Sequence, residues 1–323
     1  MRQAKLGPVG DVSRLTLGGG GIGQIWGETS RAESIATIHN ALDRGITLID
    51  TAPMYGNCEI IIGEAFGGTL PGGIRITTKC QLGTAPVGET ARRLTASLEA
   101  SLKAMRLTHV DVFFLHSNIC EDGYTYARHP ERQDQFSTPW SRYADEFIPA
   151  MEALKAAGKI SHWGITGTGV PRTIIKALNH ALKPAVVQAV ANLMDSPGGM
   201  RSYAEDPEPR VIIAEAVKNG VGVLGIRAVQ AGALTAAIDR SMSANHPETK
   251  DFERAATYRA LCKELGEDPA LVAHRYALSM SGVDSVILGV KNRTELDQCL
   301  EAEAKGPLEP AVLSRIEALG LPR

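Results

Sequence analysis

Two hydrophobic periods alternate along the chain, and glycine marks the switch from one to the other. A helical stretch ends at a Gly and a short apolar run follows at once in ALDRG-ITLID (41–50), ALKAAG-KISHWGIT (153–166), EAVKNG-VGVLGI (215–226) and ALSMSG-VDSVILG (277–289). A glycine that closes a helix in the left-handed conformation and hands over to a strand is the joint of an alternating α/β fold. Helix starts agree with this reading. Ser30 and Glu33 form an S-x-x-E capping box ahead of Ile35, Ile38 and Leu42. Asp206-Pro207 and Asp268-Pro269 each place a capping carboxylate before a proline at the first helical position. Ala91, Leu94, Leu98, Leu102 and Met105 recur every three or four residues, which predicts an amphipathic helix over 91–105.

Apolar runs near 15–18, 46–50, 74–79, 110–116, 160–166, 185–190, 221–226 and 285–288 read as strands. Eight strands, most followed by a helix candidate, predict an α/β fold of the (β/α)8 TIM-barrel type, with a doubly wound sheet as the competitor. No linker or low-complexity stretch divides the chain, so residues 1–323 read as a single domain. One segment breaks the rhythm. From Ser117 to Arg142 the chain is polar and aromatic-rich without a helical or strand period, which predicts a long βα loop over the mouth of the barrel. It reads either as a substrate lid or as an inert surface excursion.

Composition narrows the class. Apolar residues make up 44% and charged residues 22% of the chain, ample for a large core and unlike a disordered or fibrous protein. A formal charge of -2, with no cluster of Lys and Arg, points away from nucleic acid and anionic membrane surfaces and towards a small-molecule partner. The five cysteines are scattered without CxxC spacing, so neither a disulfide framework nor a metal site is expected, and a reducing, cytoplasmic location is the default.

In a barrel, side chains at the C-terminal strand ends converge on one mouth. The second strand leads into IDTAPMYG, placing Asp50 at its end and Tyr55 just beyond; the third ends ITTKC with Lys79; the fourth ends FFLHS with His116. Each has an ordinary reading alone: Asp50 as a turn cap, Tyr55 as a packed loop aromatic, Lys79 as a solvated charge, His116 as a structural imidazole. Together they make chemical sense. Carbonyl reduction needs hydride at carbon and a proton at oxygen, and a tyrosine near an ammonium is an acid whose pKa that ammonium lowers. Asp50 would fix Lys79, and His116 would orient the carbonyl oxygen.

At these residues the sequence resembles the aldo-keto reductase family: DTAPMYG, TTKC and LHS match its signature, lysine and histidine positions, and the likeness runs from about Leu15 to Leu300. The resemblance implies that Tyr55 is the general acid/base, tuned by Lys79 and Asp50, with His116 orienting substrate. It implies an NADP-dependent oxidoreductase acting on an aldehyde, ketone or sugar carbonyl, with NAD also possible.

Gly18, Gly20 and Gly23 in GGGGIG satisfy G-x-G-x-x-G, yet no acidic residue follows at a second strand end about 20 residues on, so this is not a Rossmann loop. It reads as the first βα loop, where small residues such as Gly20 and Gly21 let backbone approach the cofactor. By the resemblance, Thr166 and Gln188 hold the nicotinamide carboxamide, while Gly167 stands where an asparagine is usual. Ile226 packs on the ring where an aromatic is common, and Arg227 meets phosphate. Lys291 and Arg293 face a 2′-phosphate, and Glu295 and Gln298 lie at ribose or adenine, with Cys299 in place of an asparagine. The 117–142 loop, with Tyr124, Tyr126, Phe136 and Trp140, would wall the substrate site. A cofactor-binding, redox-sensing subunit without catalysis and a barrel lyase or isomerase are the alternatives.

Overall fold

The four glycines at the helix-to-strand joints are all left-handed: Gly45 has φ 90°, Gly158 70°, Gly220 69° and Gly282 86°. A side chain at such a φ would crowd the backbone, so these glycines let each helix stop and turn back within one or two residues. In the computed structural model, which describes residues 1–321, eight parallel strands close into a barrel. They are Leu15–Gly18, Leu48–Asp50, Arg75–Cys80, Val110–Leu115, Ile160–Thr166, Val186–Val190, Gly222–Ile226 and Ser285–Leu288. Neighbours in sequence are neighbours in the sheet, and the eighth strand pairs with the first through Val286 and Leu15.

The barrel interior is filled rather than hollow. Leu48, Val112, Phe114, Val186 and Leu224 form one buried cluster with Leu6, Val9 and Val12. The last three belong to an antiparallel hairpin, Gln3–Leu6 with Gly10–Ser13, that plugs the N-terminal end. Gly164 in the fifth strand makes room for Phe114, whose ring carbon lies 2.3 Å from where a Cβ would stand. A larger cluster lies between strands and outer helices, and the expected amphipathic helix, Thr90–Met105, buries Leu94, Leu98, Leu102 and Met105 in it.

Two capping expectations hold in part. Ser30 Oγ accepts from Glu33 N at 3.1 Å, but the Glu33 carboxylate turns to Arg293 instead of completing the box. Asp268 Oδ1 accepts from Leu271 N at 3.0 Å, as expected. Asp206-Pro207 does not start a helix: the helix is Pro209–Lys218, entered through Glu208 at φ 45°. Two prolines two residues apart compete for the first helical position, and the second takes it.

The segment 117–142 is more ordered than its lack of period suggested. Asn118–Cys120 and Ser137–Pro139 pair in parallel, with a turn at Pro130–Arg132 and a short helix at Gln133–Phe136 between them. Strands of three residues are too short for alternation to show. The return limb is tied to the loop after the third strand: Thr84 N donates to Asp134 O at 2.8 Å, and Gln81 Nε2 to Gln135 O at 2.9 Å.

Candidate active site

Consecutive strand ends bring Asp50, Tyr55, Lys79 and His116 together. Lys79 is fully buried, and its Nζ donates to Asp50 Oδ2 at 2.6 Å and to Thr51 O at 2.9 Å. Asp50 is held on its other oxygen by Thr77 Oγ1 and Gln188 Nε2, each at 2.6 Å. A buried carboxylate with three donors and a buried ammonium with two acceptors satisfy each other, which is the condition for keeping such a pair out of water. The Lys79 ammonium lies 4.7 Å from the centre of the Tyr55 ring, and the His116 ring meets Tyr55 edge-on at 5.8 Å.

The electrostatics sharpen the expected roles. Burial pushes the Lys79 ammonium towards neutrality, but Asp50 and Tyr55 outweigh it and hold the pKa above its ordinary value. Burial drives the Tyr55 phenol up, and Lys79 pulls it back only in part, so the net shift is upward. The lowering expected from the lysine is present and is exceeded by desolvation. Burial, assisted by Lys79, depresses His116 to about 3, so its imidazole is neutral. Among the described residues its Nδ1 is buried without a partner. Tyr55 and His116 keep part of their surface open, and that surface faces a cavity of about 700 Å3.

The cavity runs from these residues, past Ile226, to Lys291, Glu295 and Gln298 at the far side of the mouth. Its size is that of a small-molecule or cofactor site. Gly18, Gly19 and Gly20 line it, and a Cβ on Gly20 would stand 2.7 Å from Trp26 Nε1. Gly21 has another reason to be small: a Cβ there would lie 2.0 Å from Val290 O, so it is packed against the loop after the eighth strand. Thr166 lines the cavity and donates its hydroxyl proton to Leu115 O at 3.0 Å, leaving the oxygen able to accept. Gly167 has no room for the usual asparagine, since its Cβ would lie 2.8 Å from Val187 Cγ2 and 2.9 Å from Gln188 O.

Arg227 lines the cavity at φ 61°, half-buried, donating to Gln230 Oε1 at 2.8 Å and Glu248 Oε1 at 2.6 Å. Two placements differ from expectation. Arg293 lies outside the cavity, paired with Glu33 at 2.9 Å on the outer surface. Trp140 is turned away from the cavity, half-buried against the core under the Lys176 ammonium at 3.9 Å, so it does not wall the cavity. Phe136 and Arg132, from the same segment, do line it. Lys291 faces the cavity between two carboxylates, Glu295 at 3.2 Å and Asp239. Asp239 and Arg240 sit on a strap after the seventh strand, where Arg240 lies 5.5 Å from the centre of the Trp26 ring. Nothing in an irregular, alanine-rich segment singles these two out beforehand. The expected cysteine at the far end, Cys299, lies 3.5 Å from His274 Nε2, a partner 25 residues away and equally invisible from local pattern.

A parallel eight-stranded barrel with a Tyr-Lys-Asp-His cluster at its C-terminal mouth, opening into a dinucleotide-sized cavity, has the make-up of a carbonyl oxidoreductase. Residues 14–320 match the model of the aldo/keto reductase family, and the chain belongs to it, and with it to the nicotinamide-dependent oxidoreductases. L-galactose dehydrogenase of Arabidopsis thaliana is 26% identical over 317 residues, covering 95% of this chain and 90% of that protein. The fold is shared with the glycerol dehydrogenase of Gluconobacter oxydans (TM-score 0.71, 21% identity, 98% of this chain and 94% of that one). It is shared likewise with the holo form of an aldo-keto reductase from Bacillus halodurans (TM-score 0.72, 19% identity, 99% and 96%). Among the described residues no helix is long and apolar enough to cross a membrane, and no cluster of His, Cys, Asp and Glu could hold a metal ion.

Proposed function

We propose that this chain is an NADP-dependent oxidoreductase that moves a hydride between the cofactor and the carbonyl of a small aldehyde, ketone or sugar, with Tyr55 as general acid/base. The observation that carries this reading is the buried Lys79 ammonium, bonded to Asp50 and set 4.7 Å from the Tyr55 ring centre. When bound, the nicotinamide supplies or accepts the hydride. Tyr55 gives its phenolic proton to the carbonyl oxygen, and the phenolate left behind is stabilised by Lys79. Asp50 keeps that ammonium in place and charged. His116, neutral because its pKa lies at about 3, offers an N–H to the carbonyl oxygen and so orients it without repelling Lys79.

Thr166, Gln188 and Ile226 would surround the nicotinamide. Gln188 donates one amide N–H to Asp50, so its oxygen and its second N–H are the groups left for the carboxamide. Gly20 gives the close backbone approach, Arg227 offers its half-buried guanidinium edge to phosphate, and Glu295 and Gln298 would meet the adenosine. Lys291 is the cation that supports NADP, and the same cavity accommodates NAD. The name of L-galactose dehydrogenase adds weight to a sugar or polyol substrate. A reducing compartment such as the cytoplasm suits five free, buried thiols.

Purified protein mixed with NADPH and a panel of aldehydes, ketones and sugars is expected to consume NADPH. Tyr55→Phe should cut turnover by about a thousandfold or more while NADPH binding stays intact. Turnover unchanged in that variant sinks the mechanism; tight NADPH binding with no turnover on any carbonyl favours a redox-sensing subunit.

A further inference from the structure

The carbonyl end of the cavity is bounded by the 117–142 segment, and one charged side chain there stands apart from all the others. Among the charged groups lining the cavity, Asp50 is bonded to Lys79, Arg227 to Glu248, Lys291 to Asp239 and Glu295, and Arg240 to Asp239, while Asp268 accepts from Leu271 N. Among the described residues Arg132 has no such partner. Its nearest carboxylate is Glu131 at 3.9 Å, and both side chains are more than half exposed, so that contact is weak and screened.

The backbone that carries Arg132 is nevertheless fixed. Arg132 N donates to His129 O at 2.9 Å, and Gln133 Oε1 accepts from Tyr126 N at 2.6 Å. The following residues are tied to the third-strand loop by the Asp134 and Gln135 carbonyls. A guanidinium is thus presented at the cavity by a braced turn, which lowers the ordering cost of using it.

The wall beside it is polar. Gln81 donates through Nε2 to Ser117 Oγ at 3.2 Å and to Gln135 O, and its Oε1 is buried with no hydrogen-bond partner among the described residues. An acceptor left unsatisfied in that position costs free energy until a donor arrives. Asn118, Thr168 and Ser202 line the same end.

From this arrangement we infer that the substrate is a short hydroxylated aldehyde or ketone bearing an anionic group, carboxylate or phosphate, which Arg132 binds while Gln81 accepts from a substrate hydroxyl. The inference rests on the reading of the site as a carbonyl reductase and names its substrate class. A planar guanidinium pairs with either anion through two parallel N–H donors, so the site chemistry is the same for both.

The test compares three substrates of one carbon skeleton with NADPH: glyceraldehyde, glyceraldehyde 3-phosphate and the carboxylate 2-hydroxy-3-oxopropanoate. At least one anion is expected to exceed glyceraldehyde in kcat/KM by tenfold or more, and which anion does so identifies the group. That ratio should fall at least tenfold in Arg132→Gln, recover in part in Arg132→Lys, and shrink in wild type as ionic strength rises. Arg132 is exposed, so thermal melting should confirm that both variants fold. A wild-type ratio near one, or a ratio that Arg132→Gln leaves unchanged, overturns the inference while the reductase reading stands. No turnover on any of the three or on the wider panel overturns both.

Discussion

The two ends of the cavity are built on opposite plans. At the carbonyl end the charges of the barrel floor sit on strands, are buried, and are already paired, with Asp50, Lys79, Thr77 and Gln188 making one closed set of bonds, and only Arg132 comes from a loop. At the proposed adenosine end they sit on a loop, a strap and the first turn of a helix, and their pairing runs through exposed or half-exposed groups such as Asp239 and Glu295. Left-handed non-glycine residues gather on the strap as well, with Arg227 at φ 61°, Gln230 at 48° and Ala231 at 49°. Strain of this kind persists only where surrounding contacts over-determine it, and here Asn192, Glu248 and Asp251 supply them. The difference teaches where rigidity is placed: the groups proposed to react are preorganised by the sheet, while the part proposed to admit and release the cofactor is held largely by loops.

The sharpest way to break this comparison is to remove the charge at the rigid end. Lys79→Met leaves Asp50 buried with only neutral donors, so a loss of stability of about 3 kcal/mol is expected together with a fall in turnover of about a thousandfold or more. Denaturant unfolding and steady-state kinetics measure the two. Loss of turnover without loss of stability would mean that the Asp50 network does not depend on the ammonium, contrary to the bonding seen.

The next largest effect is in pH dependence. Tyr55 lies above its ordinary pKa, so it holds its proton throughout the neutral range, and His116 at about 3 stays uncharged there. Reduction, which needs the phenol protonated, should therefore run at a constant kcat/KM from about pH 5 to 8. Oxidation needs the phenolate, whose fraction grows about tenfold per pH unit below its pKa, so its rate should climb across the same range. A limb near pH 6.5 in either direction would show that His116 titrates and that its environment is wetter than its burial indicates.

How much of this was legible in the sequence follows the same division. The eight strands fall within a residue or two of the apolar runs, because parallel strands buried on both faces carry an uninterrupted signal and the glycines punctuate it. Asp50, Lys79 and His116 were legible as a group because the barrel converts the ends of consecutive strands into one place. The strap and the 117–142 segment lack any period to read. Trp140 looked like a substrate wall, but the short strand Ser137–Pro139 redirects the chain so that its indole meets Lys176 outside. Arg293 looked like a phosphate ligand, but it starts the helix Arg293–Lys305 and turns to Glu33 on the neighbouring helix Arg31–Asp43. Residue type was readable at both positions; direction was not, because it depends on which element lies alongside.

The smallest expected effects separate two cations that sequence alone put on the same footing. Lys291 faces the cavity, and Lys291→Met should weaken NADPH binding by about tenfold and NADH binding by less, because only the 2′-phosphate gains from that charge. Part of its worth is already spent on Asp239 and Glu295, which keeps the effect below that of an unpaired phosphate-binding lysine. Arg293→Gln, by contrast, should leave both affinities within about twofold and the melting temperature within about a degree, since an exposed ion pair with Glu33 contributes little in either respect. Fluorescence titration with the two cofactors measures all four values. If Arg293→Gln weakened NADPH selectively, its side chain would have to leave Glu33 and swing into the mouth on binding, and the loop end would be more mobile than even its strained strap implies.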